Sequence, residues 1–284
     1  MLNLRIYCLI LIPFFLFLNG CSSSSEREVQ GYIEGRYTYM ATSVPGVLRE
    51  LLVVRGTRVK QGQILFVLEE QPESDAYNAA IANLKQSIDA RDAIIANLAY
   101  AKITYQRYKV LVPQNAIQQS QLDSAKATYD ATIAQLAQAG ATIAANVASL
   151  AQAKWTKDQK IISAPVDAIV FDTYYRLGEY TIANQAILSL LAPADIKAIF
   201  YIPETDLGAI HLGEKISVRC DGCHQSYPGH ISFISPSAEY TPPVIYSNET
   251  NAKLIYRIEA EFAPQDAYFL HPGQPVYVTY STHD

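Results

Sequence analysis

VPGVLRELLVVRGTRVKQGQILFVL, residues 44–68, alternates apolar and polar side chains and is punctuated by Gly46, Gly56 and Gly62. Alternation with period two sends successive side chains to opposite faces of a strand, and glycine accepts the positive φ of a tight turn. The stretch therefore reads as short strands joined by turns. The rhythm returns in APVDAIVFDTYYRLGEYTIANQAILSL, residues 164–190, at an offset of 122: Gly56 matches Gly178, Gln63 matches Gln185 and Leu68 matches Leu190. Asn184 stands where the first copy has Gly62, and asparagine is the next most tolerant residue of a left-handed turn. Gly46 faces Ala168, a weaker match. Each copy is too small to bury a core alone, so the two are expected to pack on one another as a single flattened β-sandwich.

The segment between the copies must leave the sandwich and return at one place. From Pro72 to Leu111 it is rich in Ala, Gln, Leu, Lys and Asp, with no glycine or proline after Pro72, which predicts one long helix. Ile81, Leu84, Ile88, Ile95, Leu98 and Tyr105 suggest a coiled-coil stripe, interrupted by Arg91 and Lys102. In the second helix Leu122, Tyr129, Leu136, Ile143 and Leu150 fall at steps of seven, accompanied by Ile133, Gly140 and Val147. Such heptads specify a seam between two helices. VPQNAIQQS, residues 112–120, holds the turn, with Pro113 ending the first helix. Helices of this length predict an arm of roughly 55 to 60 Å at about 1.5 Å per residue.

The remainder is β-rich. DIKAIFYIPE and AKLIYRIEAEF alternate, with Leu254, Tyr256, Ile258, Ala260 and Phe262 on one face. LGEKISV (212–218) and PGQPVYV (272–278) each feed a strand from a glycine turn, and Glu204 to Ile210 reads as one short helix. Short strands with turn signals at this spacing predict a small β-barrel, with VQGYIEGRYTYM (29–40) as a candidate extra strand. The fold class is α+β multidomain: a biotinyl/lipoyl-like β-sandwich split by a long antiparallel helical hairpin, then a small barrel. The expected divisions are 1–20 signal peptide, 21–28 polar tether, 29–71 N-terminal strand and first half-motif, 72–158 hairpin, 159–192 second half-motif and 193–284 barrel.

The start, MLNLRIYCLILIPFFLFLNGCSSSSE, has Arg5, an apolar run from Ile6 to Leu18, then small residues. The run is shorter than the roughly 20 residues a bilayer core requires, so it reads as a secretory signal. Leu18-Asn19-Gly20-Cys21 resembles a bacterial lipobox, which makes Cys21 the lipidation site and Ser22 to Ser25 a tether to a membrane surface. A formal net charge of −5 gives no basic footprint for a nucleic acid. There is no G-x-S-x-G, no H-E-x-x-H and no dinucleotide fingerprint, and Glu214 follows Gly208 to Gly213 where a phosphate loop needs lysine. No catalytic residue, cofactor or metal ligand is assigned, and the protein is read as a non-enzyme.

Cys220-Asp221-Gly222-Cys223-His224 matches the haem-attachment spacing C-x-x-C-H. Asp221-Gly222 is a hairpin turn signal, so the cysteines flank a turn between two barrel strands; a haem would have to pack on a small barrel filled by its own side chains, without a second axial ligand nearby, which makes it the least favoured reading. The other readings are zinc with His224 and His230 and the favoured one, a turn thiol pair or short disulfide between Cys220 and Cys223.

Signal with lipobox, the two half-motifs, the hairpin between them and a barrel ending in HPGQPVYVTY together resemble the HlyD-type periplasmic adaptors, or membrane fusion proteins. AEYTPPVIYSNETNAKLIY (238–256) resembles the subgroup accompanying ABC-type exporters. The half-motifs are similar to biotinyl/lipoyl domains, but Glu69, Glu70 and Gln71 lead into the hairpin where those domains present a carrier lysine. The resemblance implies an adaptor between an inner-membrane ABC-type transporter and an outer-membrane TolC-type channel, assembled with itself as a hexameric ring. It further implies a periplasmic location with a lipid anchor, in the inner membrane in preference to the outer. Arg107 and Leu111 match two of three tunnel-contact positions at the hairpin tip; Gln118 stands at the third, where the family has serine. The chain's end directly after the barrel implies the form without a further membrane-proximal domain. The alternatives are an adaptor for a proton-driven pump and, in another class, a biotinyl/lipoyl-related carrier subunit.

Overall fold

Residues 25–240 and 254–282 are described by the computed structural model; the signal sequence, Cys21 and residues 241–253 lie outside the described residues. In chain order the elements begin with strands β1 (Ser25–Gly35), β2 (Thr38–Ala41), β3 (Gly46–Leu51), β4 (Arg58–Val59) and β5 (Ile64–Leu68), followed by helices α1 (Glu73–Leu111) and α2 (Gln119–Asp158). Then come β6 (Ile161–Ser163), β7 (Ala168–Thr173), β8 (Tyr180–Thr181), β9 (Ala186–Leu191), β10 (Ile196–Pro203), β11 (Lys215–Arg219), β12 (Tyr227–Tyr240), β13 (Leu254–Phe262) and β14 (Pro275–Thr282). They form two units, Tyr39–Leu190 on the one hand and Met1–Thr38 with Leu191–Asp284 on the other. Among the described residues no helix is long and apolar enough to cross a membrane.

In the first unit two four-stranded sheets, β2-β9-β7-β4 and β6-β5-β3-β8, make the sandwich. The offset of 122 carries β3, β4 and β5 onto β7, β8 and β9, and it also carries β2 onto β6, one strand more than the sequence pattern revealed. The short strand of each copy pairs into the sheet of the other: β4 with β7, β8 with β3. The turns are exchanged likewise. Gly56 N–H donates to Val170 O and Gly178 N–H to Leu48 O, both at 2.8 Å; Gly62 N–H reaches Ala164 O at 2.8 Å and Asn184 N–H reaches Thr42 O at 2.7 Å. Gly62 (φ 80°) and Asn184 (φ 62°) both occupy the left-handed region, as the substitution between copies predicts. Leu48 and Val170, Leu65 and Ile187, Phe66 and Leu188, and Leu68 and Leu190 are equivalent pairs, all buried in the shared core. Neither copy could close that core alone.

The weak match of Gly46 with Ala168 has a physical cause. A Cβ at Gly46 would stand 2.9 Å from Lys160 Nζ. Lys160 is 2 % exposed, donates to Pro45 O at 2.7 Å and pairs with Glu73 Oε1, in the first turn of α1, at 3.0 Å. Leu68 N–H donates to Lys160 O at 2.8 Å, so the lysine ties both feet of the hairpin to the sandwich.

The second unit is a closed barrel of six strands in the order β1-β10-β13-β12-β11-β14. Gly213 (φ 83°) and Gly273 (φ 86°) make the two turns that precede β11 and β14, and Ile216, Val218, Val276 and Val278 point inward from those strands. Residues 29–40 are not one strand: β1 ends at Gly35, and after Arg36 and Tyr37 the chain enters the sandwich as β2. Glu204–Ala209 is a 3-10 turn. It places the buried Asp206 where Tyr280 Oη donates to Oδ2 at 2.7 Å and Arg27 Nη1 pairs with Oδ1. Burial, followed by that hydrogen bond, pushes the Tyr280 phenol far above its ordinary range.

Candidate functional site at the hairpin tip

α1 and α2 have 39 and 40 residues. At about 1.5 Å per residue each spans close to 60 Å. On α1 the side chains turned to α2 are Tyr77, Ala80, Leu84, Ser87, Arg91, Ile94, Leu98, Ala101, Tyr105 and Tyr108, alternating steps of three and four. On α2 they are Leu122, Tyr129, Leu136, Ile143 and Leu150, as the heptads predict, with Ala125, Thr132, Ala139, Asn146 and Ala153 three residues after each.

Two expectations are corrected here. Ile81 and Ile95 lie outside the seam and are 42 % and 45 % exposed, while Ile133 and Val147 are also exposed. On α2 the companion positions fall at the third residue, not the fourth, and are filled by three alanines, Thr132 and Asn146, mostly small side chains that let the helices approach closely. Apolar character alone therefore misplaced the second row of the seam. Arg91, read as an interruption, sits in a seam position and turns its guanidinium to Asp92, with Nη2 at 2.7 Å from Oδ1. Tyr105 stacks on Tyr129 with ring centroids 5.7 Å apart, and Asn146 Nδ2 donates to Asn83 O at 3.4 Å, which fixes the register.

The turn is built from Val112–Gln114 in 3-10 conformation and Asn115 at φ 54°, whose N–H donates to Val112 O at 2.9 Å. Asparagine suits that left-handed position. Arg107 and Leu111 are one helical turn apart on the same flank of α1. Arg107 is exposed and, among the described residues, has no hydrogen bond or ion pair; Leu111 is half-buried at the last position of the helix. Gln118 is the N-cap of α2: its N–H donates to Gln121 Oε1 at 3.4 Å, and Ser120 Oγ lies 3.5 Å from its Oε1. The three expected contact residues thus sit on the two sides of one turn, with Gln118 engaged in capping. Val110, 61 % exposed, adds an apolar side chain beside Arg107 that sequence reasoning did not select. What the arrangement offers is an exposed cation beside exposed apolar surface. Among the described residues no group of three His, Cys, Asp or Glu side chains is placed to hold a metal ion.

No protein-family model matches the chain. It is 28 % identical to a UPF0194 membrane protein of Acidithiobacillus ferridurans over 289 aligned positions, covering 88 % of this chain and 85 % of that one. Among solved structures it is similar to MacA from Actinobacillus actinomycetemcomitans, with a TM-score of 0.73 at 20 % identity over 91 % of this chain and 79 % of the other. The fold is that of a membrane fusion protein. The membrane fusion protein Spr0693 from Streptococcus pneumoniae shares it with a TM-score of 0.60 at 17 % identity, over 90 % of this chain and all of the other. In this chain the parts run in the order half-sandwich, hairpin, half-sandwich, barrel.

In the barrel, Cys220 and Cys223 form a disulfide with Cα atoms 5.1 Å apart. They flank the Asp221-Gly222 turn, and Cys223 N–H donates to Cys220 O at 3.0 Å. The link to β12 continues to Ser226, however, so it is longer than the two-residue hairpin its sequence suggests. Cys220 is buried in the barrel core, and Gln274 Nε2 lies 2.8 Å from its Sγ.

Proposed function

We propose that the protein is a non-enzymatic periplasmic adaptor of an export system, linking an inner-membrane exporter of the ABC type to an outer-membrane channel of the TolC type. The observation that carries the reading is the hairpin. A two-helix arm close to 60 Å long, set between the two halves of a sandwich and ending in an unpaired Arg107, is suited to span a gap and dock at its far end. Self-association around the conduit, a secretory signal and a lipid anchor at Cys21 complete the proposal, with the anchor in the inner membrane. The ABC assignment rests on the resemblance of residues 238–256. Arg107 and Leu111, with Gln118 in the third position, are the proposed channel contacts. Glu69 N–H donates to Val47 O at 2.8 Å as the chain runs from β5 into α1, so the place of a carrier lysine is taken by the foot of the hairpin.

Deleting residues 105–121 tests the reading. Export is expected to fall to background while the remaining helices, the barrel and lipidation are kept. Export at the wild-type level from the deleted chain rules out docking through the tip.

A further inference from the structure

Spanning and docking make no use of the Cys220-Asp221-Gly222-Cys223 motif. The bond closes a loop with a sequence separation of only three, so it removes little chain entropy from the unfolded state and is a weak staple. The strands on either side are held without it. β11 pairs with β12 from Lys215 to Val218 and with β14 from Ser217 to Arg219, and the hydrogen bond from Cys223 N–H to Cys220 O already closes the turn. A free cysteine packs as a small apolar residue, so Cys220 can keep its place in the core with the bond open. Both redox states therefore fit the same barrel.

The two sulfurs differ in their surroundings. Cys220 is 3 % exposed, whereas Cys223 is half-buried in a loop whose other residues, Asp221, Gly222 and His224 to Ser226, are all exposed. An external thiolate has access to Cys223 and not to Cys220. Gln274 Nε2 stands 2.8 Å from Cys220 Sγ. Its Oε1 accepts from His271 N–H at 3.2 Å, which fixes the amide with its N–H side toward the sulfur. A sulfur in a disulfide gains little from that donor, but a thiolate accepts a charge-assisted hydrogen bond. The donor thus stands where negative charge appears when the bond breaks. Apolar surface borders the loop: Phe269, 59 % exposed, stacks on Tyr227, the first residue of β12.

We infer that Cys220–Cys223 is a thiol–disulfide exchange site, with Cys223 as the attacked sulfur, Cys220 as the leaving thiolate and a dithiol as the co-reactant. One thiolate of the dithiol attacks Cys223 Sγ, the Cys220–Cys223 bond breaks, and its electron pair leaves on Cys220 Sγ beside Gln274 Nε2. The second thiolate of the dithiol then displaces Cys223 from the mixed disulfide. The dithiol is oxidised to a disulfide, and its two protons end on Cys220 and Cys223. This exchange goes beyond the adaptor role and does not depend on it.

Dithiothreitol acting on the full-length mature protein under native conditions tests it, with thiols alkylated at intervals and counted by mass spectrometry on the peptide that carries residues 220–223. Reduction is expected to be first order in dithiothreitol, with the barrel kept as judged by circular dichroism. A rate independent of dithiothreitol, or reduction only as the barrel unfolds, overturns the inference. Gln274→Glu keeps the acceptor for His271 N–H but sets a carboxylate beside Cys220 Sγ, and is expected to slow reduction about tenfold or more. Loosening of the barrel would speed reduction, so slowing reports the lost donor; reduction at the wild-type rate or faster refutes Cys220 as the leaving thiolate. In a second measurement, Cys220→Ala leaves Cys223 free and is expected to form a mixed disulfide with oxidised glutathione about tenfold or more faster than Cys223→Ala, which leaves the buried thiol. Equal rates in the two variants refute Cys223 as the attacked sulfur.

Discussion

Lys160→Ala is expected to loosen the foot of the hairpin. The ammonium is 2 % exposed, lies 2.7 Å from Pro45 O and pairs at 3.0 Å with Glu73 Oε1. Truncation leaves the Glu73 carboxylate without its cation in a site where Oε2 already has no partner, and strands the Pro45 carbonyl. Removing one member of a buried pair typically costs about 3–5 kcal/mol. Because the Glu73 side chain keeps 18 % exposure, the lower end applies, about 3 kcal/mol. For a unit of this size that corresponds to a fall of roughly 6–12 °C in the midpoint of thermal unfolding, followed by circular dichroism of the mature chain. Replacing both partners, Lys160→Met with Glu73→Leu, removes the charges together and is expected to recover stability to within about 1 kcal/mol of wild type. A loss below about 1 kcal/mol for Lys160→Ala, or a double variant no more stable than the single one, refutes the argument that this pair clamps the hairpin.

Gly46→Ala places a Cβ against Lys160 Nζ and is expected to cost about 1–2 kcal/mol, but to be close to neutral in a Lys160→Met background; equal costs in both backgrounds would show that the ammonium is not the obstacle. Tyr280→Phe removes the donor to Asp206 and is expected to destabilise the barrel by about 1–3 kcal/mol by denaturant titration. The Tyr280 phenol titrates higher in the folded barrel than its ordinary value of 10.0, so the unfolded chain releases that proton first. This contribution is therefore complete below that value and is lost as pH rises above it, and the alkaline fall in stability should be shallower in the Phe variant. Reduction of the Cys220–Cys223 bond opens a very short loop, so chain entropy predicts a loss of only about 2 kcal/mol; in the denatured, lipidated mature chain two thiols should then react with a chromogenic disulfide reagent where none does before reduction. Arg107→Ala is expected to reduce export several-fold while moving the unfolding free energy by less than about 0.5 kcal/mol, since the side chain is exposed.

The strand repeat was legible because its turns demand rare backbone conformations. Gly56, Gly178, Gly62 and Asn184 all have positive φ, and only a few residue types tolerate it, so the offset of 122 survives in plain letters. The long helices were legible for the opposite reason, an absence of breakers over 39 and 40 residues. The second row of the seam was not. Ser87, Ala101, Thr132 and Asn146 face the partner helix while Ile81, Ile95 and Ile133 face outward, an arrangement that a hydrophobicity pattern inverts. Lys160 was missed because a lysine after a helix reads as a solvated charge until Pro45, distant in sequence, is folded over it. At the tip, the sequence placed Arg107, Leu111 and Gln118 near one turn, but only the folded chain shows Gln118 as the cap of α2.

What the amino-acid order determined by itself is everything carried by local rules: turns that need glycine or asparagine, helices without breakers, and strands that alternate. What only the tertiary structure decided is which copy's strand enters which sheet, which faces of the helices are spent on each other, and which are left over. Those outcomes depend on distances between residues far apart in the chain, and a periodic pattern holds no record of them.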